Sequence, residues 1–177
     1  KTLLLDALAR ATGGLHLAVP QATGTEALRL LADEVGAWTG EPVTLPAGWE
    51  AFLSRLVGLA ARSGRPVVLD DVPHLLRNVP ELAELLAQEL ATAGGEPAVL
   101  LASSVPPVTA ALRTGPLRER IALDLTVRPP DHRAAARLWN VDHDPHLAVG
   151  VHAVVGSTAA YHRFACADSP ADTADFD

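Results

Sequence analysis

A parallel β-sheet with helices on both faces is the arrangement this sequence implies, and three observations lead there. Val67-Val68-Leu69 and Ala98 to Ala102 are apolar without interruption, as strands buried on both sides are. Leu15 to Val19 and Ile121 to Val127 alternate, as edge strands do. Segments with a 3.6-residue apolar period separate these runs, and strands alternating with helices pair in parallel. The α/β sheet so read has two interior strands and two edges.

Thr2 to Thr12 reads as a helix with Leu4, Leu8 and Ala11 on one face, stopped by Gly13-Gly14. Leu15-His16-Leu17-Ala18-Val19 follows as a strand with one buried face. Thr23 and Glu26 have capping-box spacing, and Leu28, Leu31, Ala32 and Val35 form the stripe of the next helix. A Pro/Gly-rich link from Gly36 to Gly48 leads to a helix carrying Trp49, Phe52, Leu53, Leu56 and Ala60. The first apolar strand then ends in Asp70-Asp71. After a turn, Pro80 to Ala93 is helical through Leu82, Leu85, Leu86 and Leu90, and Gly94-Gly95 close it. The second apolar strand ends in Ser103-Ser104. Pro107 to Arg113 is a short helix, and the alternating run from Ile121 follows. From Pro129 the pattern turns helical, with segments from Asp131 to Leu138 and from Pro145 to Phe164, the latter with a break at Gly156.

Composition excludes several classes of protein. Hydrophobic residues make up 49% of the 177 and charged residues 20%, which suits a globular chain. A net charge of −7 argues against a protein that coats nucleic acid; Arg133 and Arg137 share a helix face that could touch nucleic acid, but the charge gives no support and a solvated face accounts for them more simply. The single cysteine, Cys166, excludes a disulfide scaffold and fits a reducing, cytoplasmic setting. No apolar run approaches the roughly 20 residues of a membrane span. Methionine is absent and Lys1 is the only lysine beside thirteen arginines. The chain is therefore expected to be a piece of a longer protein, and a lysine kept against that bias invites a chemical reason. The first helix also lacks the strand that usually feeds it, so a strand and a loop are expected before Lys1.

Ligands of such sheets gather at the carboxyl ends of the strands. Three polar features fall there: Lys1-Thr2 at the first helix start, Asp70-Asp71, and Ser103-Ser104. Lysine followed by threonine at a helix start is the last pair of a phosphate-binding loop, G-x-x-x-x-G-K-[ST]. Free N–H groups and the positive helix end attract phosphate, the lysine reaches β- and γ-oxygens, and the hydroxyl ligates magnesium. An aspartate ending an apolar strand supplies the second anchor for magnesium. Each feature also has a structural explanation: a chance dipeptide, a cap, a turn. Asp142-His143-Asp144-Pro145-His146 suggests a metal site, but Asp144 as N-cap with Pro145 at the first helical position accounts for it more simply. His16, His152 and His162 read as structural.

Across nearly its whole length the chain resembles the archaeal-type, DEXX-box P-loop ATPases of the STAND/AAA+ branch. Lys1-Thr2-Leu3-Leu4 is similar to the end of their G-K-T-x-L-L motif, and Val67 to Leu75 to their hhhDE-F-P-x-L segment. Ala98 to Ser104 resembles their fourth strand with a polar sensor. Pro116-Leu117-Arg118-Glu119-Arg120 resembles P-L-Y-G-R, and Val154 to Tyr161 resembles V-G-G-x-P-A-Y. The resemblance implies a three-layer P-loop NTPase sandwich of strand order 5-1-4-3-2 with its first strand missing here. Residues 1–128 would be the core, and 129–177 the start of a helical lid. It implies ATP and Mg2+ as ligands: Lys1 and Thr2 on the phosphates, Thr2 and Asp70 on the metal. Asp71 would address water, and Ser103 or Ser104 would sense the γ-phosphate. Arg120 is either a nucleotide-sensing arginine or a strand-edge cation. The implied function is a slow ATPase that couples nucleotide state to assembly or signalling, as a homo-oligomer or beside an effector domain. Asp71 replaces the family's glutamate and is one methylene shorter, so a nucleotide switch without turnover is one rival. A degenerate scaffold that binds no nucleotide is another. Ala159 replaces the lid proline, which implies weak coupling of the lid to nucleotide.

Overall fold

The computed structural model describes residues 1–41, 45–156 and 161. The chain divides into two compact units, Lys1–Asp124 and Leu125–Asp177. In the first unit the order is α1 (Thr2–Thr12), β1 (Leu15–Ala18), α2 (Gly24–Thr39), α3 (Trp49–Ser63), β2 (Val67–Asp70), α4 (Pro73–Asn78), α5 (Leu82–Thr92), β3 (Val99–Ala102) and α6 (Pro106–Thr114), followed by a 3₁₀ turn at Arg118–Arg120. The second unit contains α7 (His132–Leu138) and α8 (Pro145–Val155).

The three strands form one parallel sheet in the order β1-β2-β3. Leu15 stands opposite Val67 and Ala18 opposite Asp70, while Val67 pairs with Val99 and Asp70 with Ala102. Strand alternation divides the side chains between the two faces. Leu15, Leu17, Val67, Leu69, Val99 and Leu101 join the main core with α2, α3 and α5, where Leu31, Phe52, Leu56 and Leu86 are sealed from solvent. Val68 and Asp70 lie on the opposite face, and α1 packs there against β1 and β2.

β2 is buried along its whole length, as its sequence implies. β3, expected as an interior strand, is an edge strand among the described residues, and Val99, Leu100 and Leu101 are only half-buried. The expected strand from Ile121 to Val127 does not form. Those residues belong to no strand, and Ile121, Leu123, Leu125 and Val127 are exposed. A strand exists only through its neighbour, and no described strand flanks β3 on its outer side to receive this segment. Arg113 instead holds Asp124 through a two-point ion pair.

Gly13 ends α1 in the left-handed conformation, φ +63°. Leu4 and Leu8, expected on the buried face of α1, are exposed, and Ala9 is its one buried side chain. The sheet receives the Thr2, Asp6 and Ala9 face, because polar contacts at the sheet edge set the rotation of the helix. The capping box of α2 is not made: Thr23 is extended but forms no side-chain cap, and Glu26 pairs with Arg29 at 2.8 Å. That helix runs past Gly36, which is buried, and stops at Gly40. The turn expected after Asp71 contains α4, opened by Pro73.

In the second unit Asp131 caps α7, and Asp144 caps α8 by accepting from the N–H groups of His146 and Leu147. Trp139, Val141, Leu147 and Val151 form a small core there. The expected continuation of α8 past Gly156 to Phe164 lies, apart from Tyr161, outside the described residues, as does Cys166. Among the described residues no helix is long and apolar enough to cross a membrane.

Gly14 tests the junction of α1 with the sheet. A Cβ there would lie 2.5 Å from the backbone oxygen of Pro66, which accepts from Leu15 N–H. Gly14→Ala is therefore expected to destabilise the protein by about 1–3 kcal/mol, read as a lower urea midpoint at unchanged slope. An unchanged midpoint contradicts this packing.

Candidate functional site

The parallel register brings Asp70, at the end of β2, level with Ala102 of β3 and beside the start of α1. Asp70 is 2% exposed. A carboxylate so far from water requires donors around it, and three are present. Lys1 Nζ lies 2.7 Å from Asp70 Oδ1. Thr2 Oγ1 donates to Asp70 Oδ2 at 2.6 Å. The backbone N–H of Asp71 donates to Asp70 Oδ1 at 3.0 Å.

Asp71 completes the group by accepting from Lys1 Nζ at 2.7 Å, so one ammonium bridges two adjacent carboxylates. Asp71 does this from a left-handed backbone, φ +64°. Aspartate tolerates that conformation better than most residues, at an energetic penalty a glycine would not have. The strained turn sends the chain from β2 into α4 and leaves the Asp71 side chain at the surface, half-exposed beside Lys1.

Burial pulls the Lys1 ammonium toward neutrality. Hydrogen bonds to Asp70 and Asp71, together with their charge, outweigh burial and hold its pKa above the ordinary value. Burial likewise favours the neutral form of Asp70. The hydrogen bonds from Lys1 and Thr2, the Lys1 charge and the Asp71 N–H outweigh it and hold Asp70 below the usual carboxylate value.

Ser103 follows β3 at the same carboxyl edge, but its hydroxyl is used locally, accepting from Val105 N–H at 3.0 Å. Ser104 is exposed. Neither serine hydrogen-bonds to Lys1, Thr2, Asp70 or Asp71. Arg120 is exposed in the 3₁₀ turn and makes no ion pair among the described residues. The structure thus brings four of the candidate residues into one network, sets the two serines along the same edge and leaves Arg120 outside the network. His16 was not among the candidates. Its Nε2 lies 3.7 Å from Asp70 Oδ2 and its Nδ1 4.0 Å from Asp6 Oδ1. The signal was the alternation of β1, which places His16 opposite the Leu15–Leu17 face.

The residues around Asp70 fit a hard divalent cation. A cation, the Lys1 ammonium, already sits between Asp70 and Asp71, with the Thr2 hydroxyl on the other Asp70 oxygen. Among the described residues no three His, Cys, Asp or Glu side chains converge as a protein-only cage. Asp70 and Thr2 could hold a cation such as magnesium only together with water and substrate oxygens, since magnesium is usually held by one or two carboxylates plus water and substrate phosphate. No family model, curated protein or solved structure matches this chain.

The network has a pH signature. The depressed pKa of Asp70 contributes stability that is complete above the ordinary 3.8 and is lost as pH falls through its lower folded value. The raised pKa of Lys1 contributes stability that is complete below the ordinary 10.5 and is lost as pH rises through its higher folded value. Asp70→Asn should therefore be less stable than wild type by about 1–3 kcal/mol near neutrality, with a difference that shrinks below about pH 4. Urea midpoints across pH measure this. A difference that persists undiminished to pH 2 contradicts the ionised pairing.

Proposed function

We propose that this protein is an ATP-binding P-loop domain that hydrolyses ATP slowly. The convergence of Lys1, Thr2 and Asp70 carries the reading: a lysine and a threonine at a helix start meet an aspartate at the end of a buried parallel strand, 68 residues away from Thr2. These are the groups needed at the phosphates and the metal of a P-loop site, at the edge of an α/β sheet where ligands bind. The order β1-β2-β3 supports it too, being that of the second to fourth strands in a 5-1-4-3-2 sheet. In that arrangement a first strand lies beside β3 and a fifth beyond it, which accounts for the apolar yet half-buried edge at Val99–Leu101.

Lys1 exchanges its two carboxylates for β- and γ-phosphate oxygens. Thr2 and Asp70 would hold magnesium, which would supply positive charge to stabilise the phosphates. Asp71, released from Lys1, orients the attacking water. Ser103 or Ser104 meets the γ-phosphate, and Arg120 requires movement of its turn to reach it. The reading further requires a glycine-rich loop directly before Lys1 in the intact protein. Cytoplasmic placement and coupling to an oligomer or effector domain belong to the same proposal.

One observation favours the nucleotide switch as a second reading. Asp71 is short, tied to Lys1 and fixed in a left-handed turn, a poor starting point for a general base. Turnover at saturating ATP separates the two.

Titration calorimetry on the intact protein tests binding. Lys1→Ala should abolish detectable ATP affinity, and Asp70→Asn should abolish its dependence on Mg2+. Asp71→Asn should leave binding intact and lower turnover. Wild-type affinity in Lys1→Ala, or equal binding loss in both aspartate variants, contradicts the assignment.

A further inference from the structure

Asp70 has three donors, and the proposed function takes two of them away. Lys1 moves to phosphate and the Thr2 hydroxyl turns to the metal, leaving only the Asp71 N–H on Oδ1. The oxygen that Thr2 releases, Oδ2, is the one that His16 Nε2 faces at 3.7 Å. That nitrogen is fully buried and has no hydrogen-bond partner among the described residues. An unsatisfied buried polar atom costs about 1–3 kcal/mol, and a leucine in its place would avoid the penalty. The ring cannot move far from Asp70, because Leu15 and Leu17 on either side are locked in the core at 4% and 0% exposure. A ring shift of about 0.8 Å brings Nε2 within hydrogen-bond range of Oδ2.

We propose that His16 is a positioning residue for Asp70: its Nε2–H takes over Oδ2 when Thr2 and Lys1 turn to the nucleotide, and keeps the carboxylate in its metal-holding orientation. The role rests on the nucleotide reading given above. It is a donor to a metal-holding carboxylate, the kind of outer partner whose loss weakens metal affinity without touching the metal.

Binding of Mn2+, measured by the loss of its free electron-paramagnetic-resonance signal, tests this on the intact protein with and without ATP. In the presence of ATP, His16→Leu should weaken Mn2+ affinity about 10-fold or more, while His16→Gln, which keeps a donor near Nε2, should recover most of it. ATP affinity without metal should be unchanged in both variants, and His16→Leu should melt no lower than wild type. Wild-type Mn2+ affinity in His16→Leu overturns the role, as does a His16→Gln variant as weak as His16→Leu. A lower melting temperature with unchanged Mn2+ affinity marks a packing residue and also overturns it. If no variant binds ATP, the nucleotide reading falls, and Mn2+ alone decides for His16. Weaker Mn2+ binding by His16→Leu than by wild type keeps its role on Asp70; equal binding, or none, ends it.

Discussion

Asp70 is the one charged side chain that the described residues bury, and much of the first unit is arranged to satisfy it. A carboxylate at the end of a strand with no exposed residue needs compensation close by, because removing it from water without partners costs several kcal/mol. Lys1 and Thr2 provide it from the first turn of α1 and thereby pin that helix to the end of β2. At the other end of the helix, Gly14 makes a close approach to Pro66 just before β2. Held at both ends, α1 turns Thr2, Asp6 and Ala9 to the sheet, and Leu4 and Leu8 face outward.

The same pinning explains which parts of the molecule were legible in the sequence. Periodicity reports a stripe of apolar residues but not which stripe the tertiary structure will use. In α3 the two agree, since no polar contact competes with Phe52, Leu53 and Leu56 for the core. In α1 two polar contacts at Asp70 override the Leu4–Leu8 stripe. The run from Ile121 to Val127 shows a second limit: alternation describes a surface that could pair, and pairing needs a neighbour. β2 and β3 read equally apolar, yet among the described residues only β2 has a strand on each side, so their burial differs.

The candidate site was legible to the extent that strand ends are. Apolar runs ending in Asp70 and Ser103 imply a shared edge in any parallel sheet, and the register supplies it. The distances among Lys1, Thr2, Asp70 and Asp71 were not legible, because they depend on the angle at which α1 meets the sheet. Neither was the left-handed backbone of Asp71, which only the packing of α4 after β2 reveals. His16 was visible as an alternating polar residue, but its meaning depends on register: Ala18 pairs with Asp70, and His16 sits one step earlier on the same face. A partly buried histidine looks structural until its neighbour is known.

Lys1 is central to the account, as a cation that neutralises two carboxylates in this structure and would move to phosphate in the nucleotide complex. It is the only lysine among the 177 residues, so isotopic labelling of lysine makes its Nζ directly observable, with Lys1→Arg confirming the assignment in the intact protein. The most direct measurement is the 15N resonance of Lys1 Nζ as ATP and Mg2+ are added. The account predicts a saturable shift with ATP, together with a change in the Asp70 and Asp71 carboxylate resonances as they lose the ammonium. A Lys1 resonance that stays in place, with both carboxylates unchanged at millimolar ATP, would show that this lysine serves the fold alone.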